Sequence, residues 1–205
     1  MTSTASATFV DVLALRAESA ALGRAIRIAS VLFVAALTAA AAQISVPLPF
    51  TEVPFTFQPM VVLIGGLSLG SRLGLASQVL YLAAGIAGLP VFAASPALPP
   101  GMLRLLGPTG GYLMSYPIAA FAVGYLAERG FDRRYATAVL AMLIGLAIIY
   151  TSGVLWLGLF ARTAAPIPIG IRRALMTGVV PFVVPDVLKL LAAAAVLPGI
   201  WNLIE

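Results

Sequence analysis

Apolar residues run in six long blocks along the chain, separated by short polar or proline-rich breaks. The blocks cover about 26–45, 57–70, 73–92, 110–127, 136–161 and 174–197. A helix needs about 20 mostly apolar residues to cross a bilayer. The pattern predicts an all-α integral membrane protein of six transmembrane helices. Residues 1–25 stand apart as a polar N-terminal tail, and 26–205 form the membrane domain. Within the tail, Phe9, Val10, Leu13 and Ala17 have helical spacing, which suits either a short surface helix or a disordered end.

The breaks differ in kind. Gly70-Ser71-Arg72 makes a tight hairpin, and 128–134 (ERGFDRR) is short and charged. The breaks at 46–54, 93–109 and 162–173 are rich in proline, and the three prolines of 46–54 bar a continuous helix there. With six spans, Arg16, Arg24, Arg27, Arg72, Arg129, Arg133 and Arg134 share one side, against Arg104, Arg162, Arg172 and Arg173 on the other. That bias predicts cytoplasmic N- and C-termini. Irregular backbone at membrane depth is tolerated where it lines a cavity, so the long outer loops are where a ligand site is expected.

Composition narrows the function. The 205 residues are 61% hydrophobic and 9% charged, with a mean hydropathy of +1.08. A soluble domain carries roughly 25% charged residues. The net charge of +5 comes from arginines flanking apolar runs, so it reads as a topology signal and not as a nucleic-acid surface. With no cysteine and no histidine, disulfides, thiolate chemistry, His-ligated metals and His-based triads are excluded. Lys189 is the single lysine, and no P-loop motif is present, so the chain cannot hydrolyse ATP by that route. An enzyme has little to work with.

Two charges lie inside the last block. Asp186 and Lys189 cost about 2.5–3.5 kcal/mol each at a helix centre. Three residues apart, they share a helix face and can pair. They form either an ion pair that locks helices together or a polar hook in an apolar pocket. As a hook, Asp186 accepts two N–H bonds and Lys189 donates to a carbonyl, the complement of a cyclic urea. The GPTGGY segment at 107–112 opens the fourth block. Thr109 is a candidate N-cap, and Gly110 and Gly111 would let a ligand reach the backbone. With Arg104 nearby, this is either a carboxylate site or the plain capping of a buried helix end. Gln58, Gln78 and Tyr81 suit interhelical hydrogen bonds or ligand contacts. Phe50, Phe55, Phe92 and Tyr112 suit an interfacial belt or a pocket wall. Ala35/Ala39 and Ala36/Ala40 in the first span permit close packing of a helix, from this chain or another protein.

Five segments in order carry a resemblance. They are AQISVPLP at 42–49, VPFTFQ at 53–58, LGSRLG at 69–74 with Ser77, Gln78, Tyr81 and GLPVF at 88–92, GPTGGYL at 107–113, and PDVLK at 185–189. Over about 30–195 the chain resembles the BioY family, biotin-binding S components of energy-coupling-factor (ECF) vitamin transporters. The resemblance implies a six-helix subunit of the bacterial cytoplasmic membrane that captures biotin from outside. It implies a transmembrane coupling subunit and two ATPase subunits as partners, and no cofactor, biotin being the transported substrate. It implies that Asp186 and Lys189 bind the ureido ring, and that the small residues of the first helix meet the coupling subunit. The valerate carboxylate would then lie near 107–112 or Arg104. The loop 93–100 carries less glycine than the family pattern. An S component for another vitamin, a solitary transporter working without ATPases, and a membrane enzyme or scaffold are the competing readings. Saturable vitamin binding excludes a scaffold, and uptake without a coupling subunit would favour the solitary transporter.

Overall fold

The computed structural model describes residues 7–94, 101–161 and 169–204. The segments 95–100 and 162–168, with Arg162, lie outside the described residues. Helices α1 (Phe9–Leu15) and α2 (Ala20–Gln43) precede strands β1 (Ser45–Leu48) and β2 (Thr51–Thr56). Then come α3 (Gln58–Leu69), α4 (Ser71–Ile86), the single turn α5 (Leu103–Leu106) and α6 (Gly110–Ala127). The series ends with α7 (Tyr135–Leu159), α8 (Ile171–Gly178), α9 (Val180–Ala194) and α10 (Val196–Ile204).

Helix α6 is the axis of the bundle, packed on α3, α4 and α7. Lipid tails are as apolar as leucine, so helices in a membrane associate through close van der Waals fit. Small residues supply that fit. Ala119 and Ala120 are fully buried, and a Cβ on Gly66 of α3 would stand 2.7 Å from the Ala120 carbonyl oxygen.

The outside of the bundle is apolar. Ile28, Leu32 and Phe33 on α2, Leu140 and Leu155 on α7, and Val184 and Leu188 on α9 are all exposed. In water such faces would drive aggregation; in a bilayer they meet lipid. Among the described residues, three helical stretches are long and apolar enough to cross: Ala20–Gln43, Tyr135–Leu159 and Val180–Leu203. Helix α3 has 12 residues, about 18 Å at 1.5 Å per residue. That is well short of the core thickness of about 30 Å.

Three boundaries differ from the hydropathy pattern, each for a local reason. Helix α2 starts at Ala20, because the Ser19 hydroxyl caps it by accepting from the Leu22 amide. The stretch before it is docked: Thr8 and Val10 are buried, and Phe9 meets Trp201 edge-on at 6.4 Å. Helix α4 stops at Ile86, before Gly88 with φ +95° and Pro90. The last block breaks at Val179, where Pro181 begins α9 instead of continuing α8.

The proline-rich 46–54 segment forms an antiparallel hairpin, with Ser45 opposite Thr56 and Leu48 opposite Thr51. In a two-stranded ribbon both strands are edges, so Pro47 and Pro54 are tolerated. Pro47 sits at the irregularity between Val46 and Leu48.

Polar contacts gather the first helix, the α3–α4 turn, the α6–α7 loop and α10 at one end. The Arg133 guanidinium donates to the Ala7 carbonyl at 3.2 Å, and Trp201 Nε1 donates to Asp132 Oδ2 at 2.7 Å. Burial pushes the Asp132 carboxyl above its ordinary range, while the Trp201 bond and the Arg133 charge pull it back. Gly70, at φ +82°, offers no side chain to cap α4. Glu128 of the α6–α7 loop does so from across the bundle, its Oε1 accepting from the Ser71 amide at 2.8 Å and hydroxyl at 2.7 Å. Glu128→Ala removes a charged cap, and a loss of about 1 kcal/mol is expected. A thermal unfolding midpoint in detergent that does not move would show that water replaces it.

Candidate functional site

The other end of the bundle holds a cavity of about 610 Å³, within the roughly 300–1,000 Å³ usual for small-molecule sites. The hairpin roofs it with Leu48, Thr51, Val53 and Thr56, while Phe92, Ala93 and Arg104 close one side. Thr109, Tyr112 and Tyr116 of α6, Ile149 and Tyr150 of α7, and Phe182 and Asp186 of α9 complete the wall.

Asp186 is the charged group that α9 presents here, 7% exposed and bordering the cavity. Its carboxylate is held from two sides. Tyr150 donates to Oδ2 at 2.7 Å, and Lys189 pairs with Oδ1 at 2.5 Å. Lys189 Nζ also donates to the Thr56 carbonyl at 2.7 Å and lies 4.0 Å above the Phe55 ring. A buried carboxylate is costly without such partners. Two donors still leave lone pairs open on an acceptor of about four sites, so the cavity offers an anionic acceptor.

Several expected residues converge. Gln58 lines the cavity and donates to Tyr81 Oη at 2.6 Å. Tyr81 Oη donates in turn to the Val91 carbonyl at 3.3 Å, and its ring meets Phe92 edge-on at 5.5 Å. This chain fixes the 91–94 segment against α4. Tyr112 borders the cavity and donates to the Gly178 carbonyl at 2.8 Å, tying α6 to the α8–α9 break. Arg104 is buried and donates to the Ala93 carbonyl at 2.8 Å. Burial lowers its guanidinium pKa, but from so high a starting value that it stays charged.

Other residues fall elsewhere. Lys189 touches Asp186 but is not part of the cavity wall, because its ammonium is turned to the hairpin backbone. Gln78 is fully buried against α2, donating to Thr38 Oγ1 at 3.3 Å. Phe50, at the hairpin tip, is 58% exposed and away from the cavity. Thr109 lines the cavity, yet its side chain makes no cap hydrogen bond. Gly110 and Gly111 face protein, not the cavity: a Cβ on Gly110 would meet the Leu105 carbonyl oxygen, and one on Gly111 the Trp156 side chain. Along α2, Ala35 and Ala39 pack inward against the core, while Ala36 and Ala40 are exposed.

Sequence reasoning missed Tyr116, Tyr150 and the hairpin. A phenol well inside a long apolar helix, far from either end, was the available signal for Tyr150. The hairpin had none, since its prolines argue against a strand.

Known proteins show what this arrangement is similar to. A probable biotin transporter BioY from Pyrococcus horikoshii is 43% identical over 81% of this chain and 88% of its own length. A biotin transporter BioY from Thermotoga maritima is 38% identical over 78% of this chain and 87% of its own. The crystal structure of an S-component for biotin from an ECF-type ABC transporter superposes with a TM-score of 0.74, at 22% identity, covering 87% of this chain and 92% of that one. That likeness is one of fold. Residues 12–205 match the BioY family, and the chain belongs to it.

Proposed function

We propose that this protein captures biotin at the outer face of the cell membrane and works as the substrate-specific S component of an ECF transporter. It binds and delivers; it is not an enzyme. The observation that carries the reading is the apolar cavity bordered by one buried, doubly held carboxylate. A cyclic urea places two N–H donors on such an acceptor, and apolar walls suit the fused thiophane ring and valerate chain. Family membership and the biotin transporters among the relatives support this substrate over another vitamin.

In this reading Asp186 accepts from the ureido ring, while Lys189 serves as its counter-ion and ties α9 to the hairpin. The carboxylate end of biotin turns toward Arg104 and Thr109. The bundle crosses the membrane six times with both termini in the cytoplasm. The arginine bias and the gathering of α1, the α3–α4 turn, the α6–α7 loop and α10 at one end support that topology. The hairpin, the 91–94 segment and α5 then face outside as the entrance. A transmembrane coupling subunit and two ATPase subunits supply the energy. The exposed pair Ala36/Ala40 suits the coupling subunit better than the inward pair Ala35/Ala39.

Isothermal calorimetry of the detergent-purified protein tests the substrate. One-site biotin binding, with no heat from thiamine or riboflavin, is the expected result. Absence of biotin binding to the intact protein would overturn the reading.

A further inference from the structure

Four tyrosines stand around the cavity end of the bundle, and three have committed hydroxyls. Tyr81 serves Val91, Tyr112 serves Gly178, and Tyr150 serves Asp186. Tyr116 differs. It lies on α6 only 3% exposed, its ring stacked near Tyr81 at 6.4 Å, and it borders the cavity. Its hydroxyl has no hydrogen-bond partner among the described residues. Nor is it among the atoms sealed from solvent without a partner, so it is the cavity that it reaches. A buried hydroxyl left unmatched is costly, and native structures rarely carry one without a purpose. Whatever fills the cavity is its natural partner.

The ligand chemistry of the cavity narrows the partner. Asp186 takes N–H donors, but a urea also carries a carbonyl oxygen that needs a donor of its own. Lys189, the obvious cation, is spent on Asp186 and the Thr56 carbonyl and does not line the wall. A phenol is a neutral donor on a rigid ring, and it costs little rotamer entropy to hold. Resting on the biotin reading above, we propose that Tyr116 is a specificity-determining residue whose hydroxyl donates to the ureido carbonyl oxygen of the bound ligand.

Tyr116→Phe removes one oxygen and keeps the ring and its stacking. The test compares that variant with the intact protein by calorimetry, using biotin and 2-iminobiotin at neutral pH. The iminobiotin guanidinium carries only donors where the urea has its acceptor. The variant should lose about tenfold in biotin affinity and change less than twofold toward iminobiotin. An equal loss toward both ligands would mean that the hydroxyl acts through packing, and unchanged biotin affinity would mean that water satisfies it. Either result overturns the assignment. Failure of the intact protein to bind biotin at all would instead overturn the substrate reading, and this proposal with it.

Discussion

Asp186→Asn should lower biotin affinity by at least a hundredfold. The change keeps the shape and removes the charge and one acceptor oxygen. Hydrogen bonds to a charged group contribute about 1.5–3 kcal/mol each, and in the proposed binding mode the ureido ring makes two. The amide can turn its NH2 to Tyr150, whose hydroxyl can accept, and its oxygen to Lys189, but a single neutral oxygen is then left to serve both Lys189 and the ligand. Lys189 loses its counter-ion at a site where its side chain is only 11% exposed. Breaking a buried pair from one side costs about 3–5 kcal/mol, so the unfolding midpoint should fall as well. The double variant Asp186→Asn with Lys189→Met separates the two effects. It should recover stability, because replacing both charges is often neutral, and it should not recover binding. Binding retained within threefold in the single variant would leave the pair as a structural lock and remove Asp186 from the site.

The pair was legible in the sequence because a charge in an apolar run has few uses. What the sequence could not supply was direction. Spacing of three residues put Asp186 and Lys189 on one face, and both were expected at the ligand. The folded chain separates them by length: the short carboxylate stays at the cavity wall, while the longer ammonium reaches past it to the Thr56 carbonyl. That carbonyl belongs to a hairpin which the prolines of 46–54 concealed. The same gap explains the helices. Hydropathy placed the apolar helices along the chain, since apolarity is a property of composition over a long stretch. It could not find the breaks at Gly88 and Val179, which depend on single backbone conformations. Glu128 capping α4 from another helix is a long-range contact with no trace in local pattern. Gln78 and Tyr81 differ for a related reason. Three residues apart on α4, they face different neighbours, Thr38 on α2 and Gln58 on α3, and only the latter borders the cavity.

The glycine pair at the start of α6 gives the second large effect, and its direction decides what those residues are for. If Gly111 served ligand approach, Gly111→Ala would weaken binding and leave the fold intact. The geometry points the other way. A Cβ there would stand 2.2 Å from Trp156 Cβ and 2.6 Å from the Ser152 carbonyl oxygen, neither of which can swing aside. The two helices are also stitched at this point, with Ser152 Oγ donating to the Gly111 carbonyl at 2.8 Å and Trp156 Nε1 to the Gly107 carbonyl at 2.9 Å. Alanine gains up to about 1 kcal/mol in helix propensity. Overpacking costs about 1–3 kcal/mol, and each strained hydrogen bond adds about 1. The steric term wins, so α6 must move off α7. The unfolding midpoint should drop by about 5–10 °C, at the roughly 2–4 °C per kcal/mol of a chain this size. Biotin affinity should fall only a few-fold, through displacement of Thr109 and Tyr112. Gly199→Ala, where an added Cβ meets nothing within 4 Å, is the control and should leave the midpoint unchanged or slightly raised. A Gly111→Ala protein that melts like the parent but no longer binds biotin would return the glycine to the ligand.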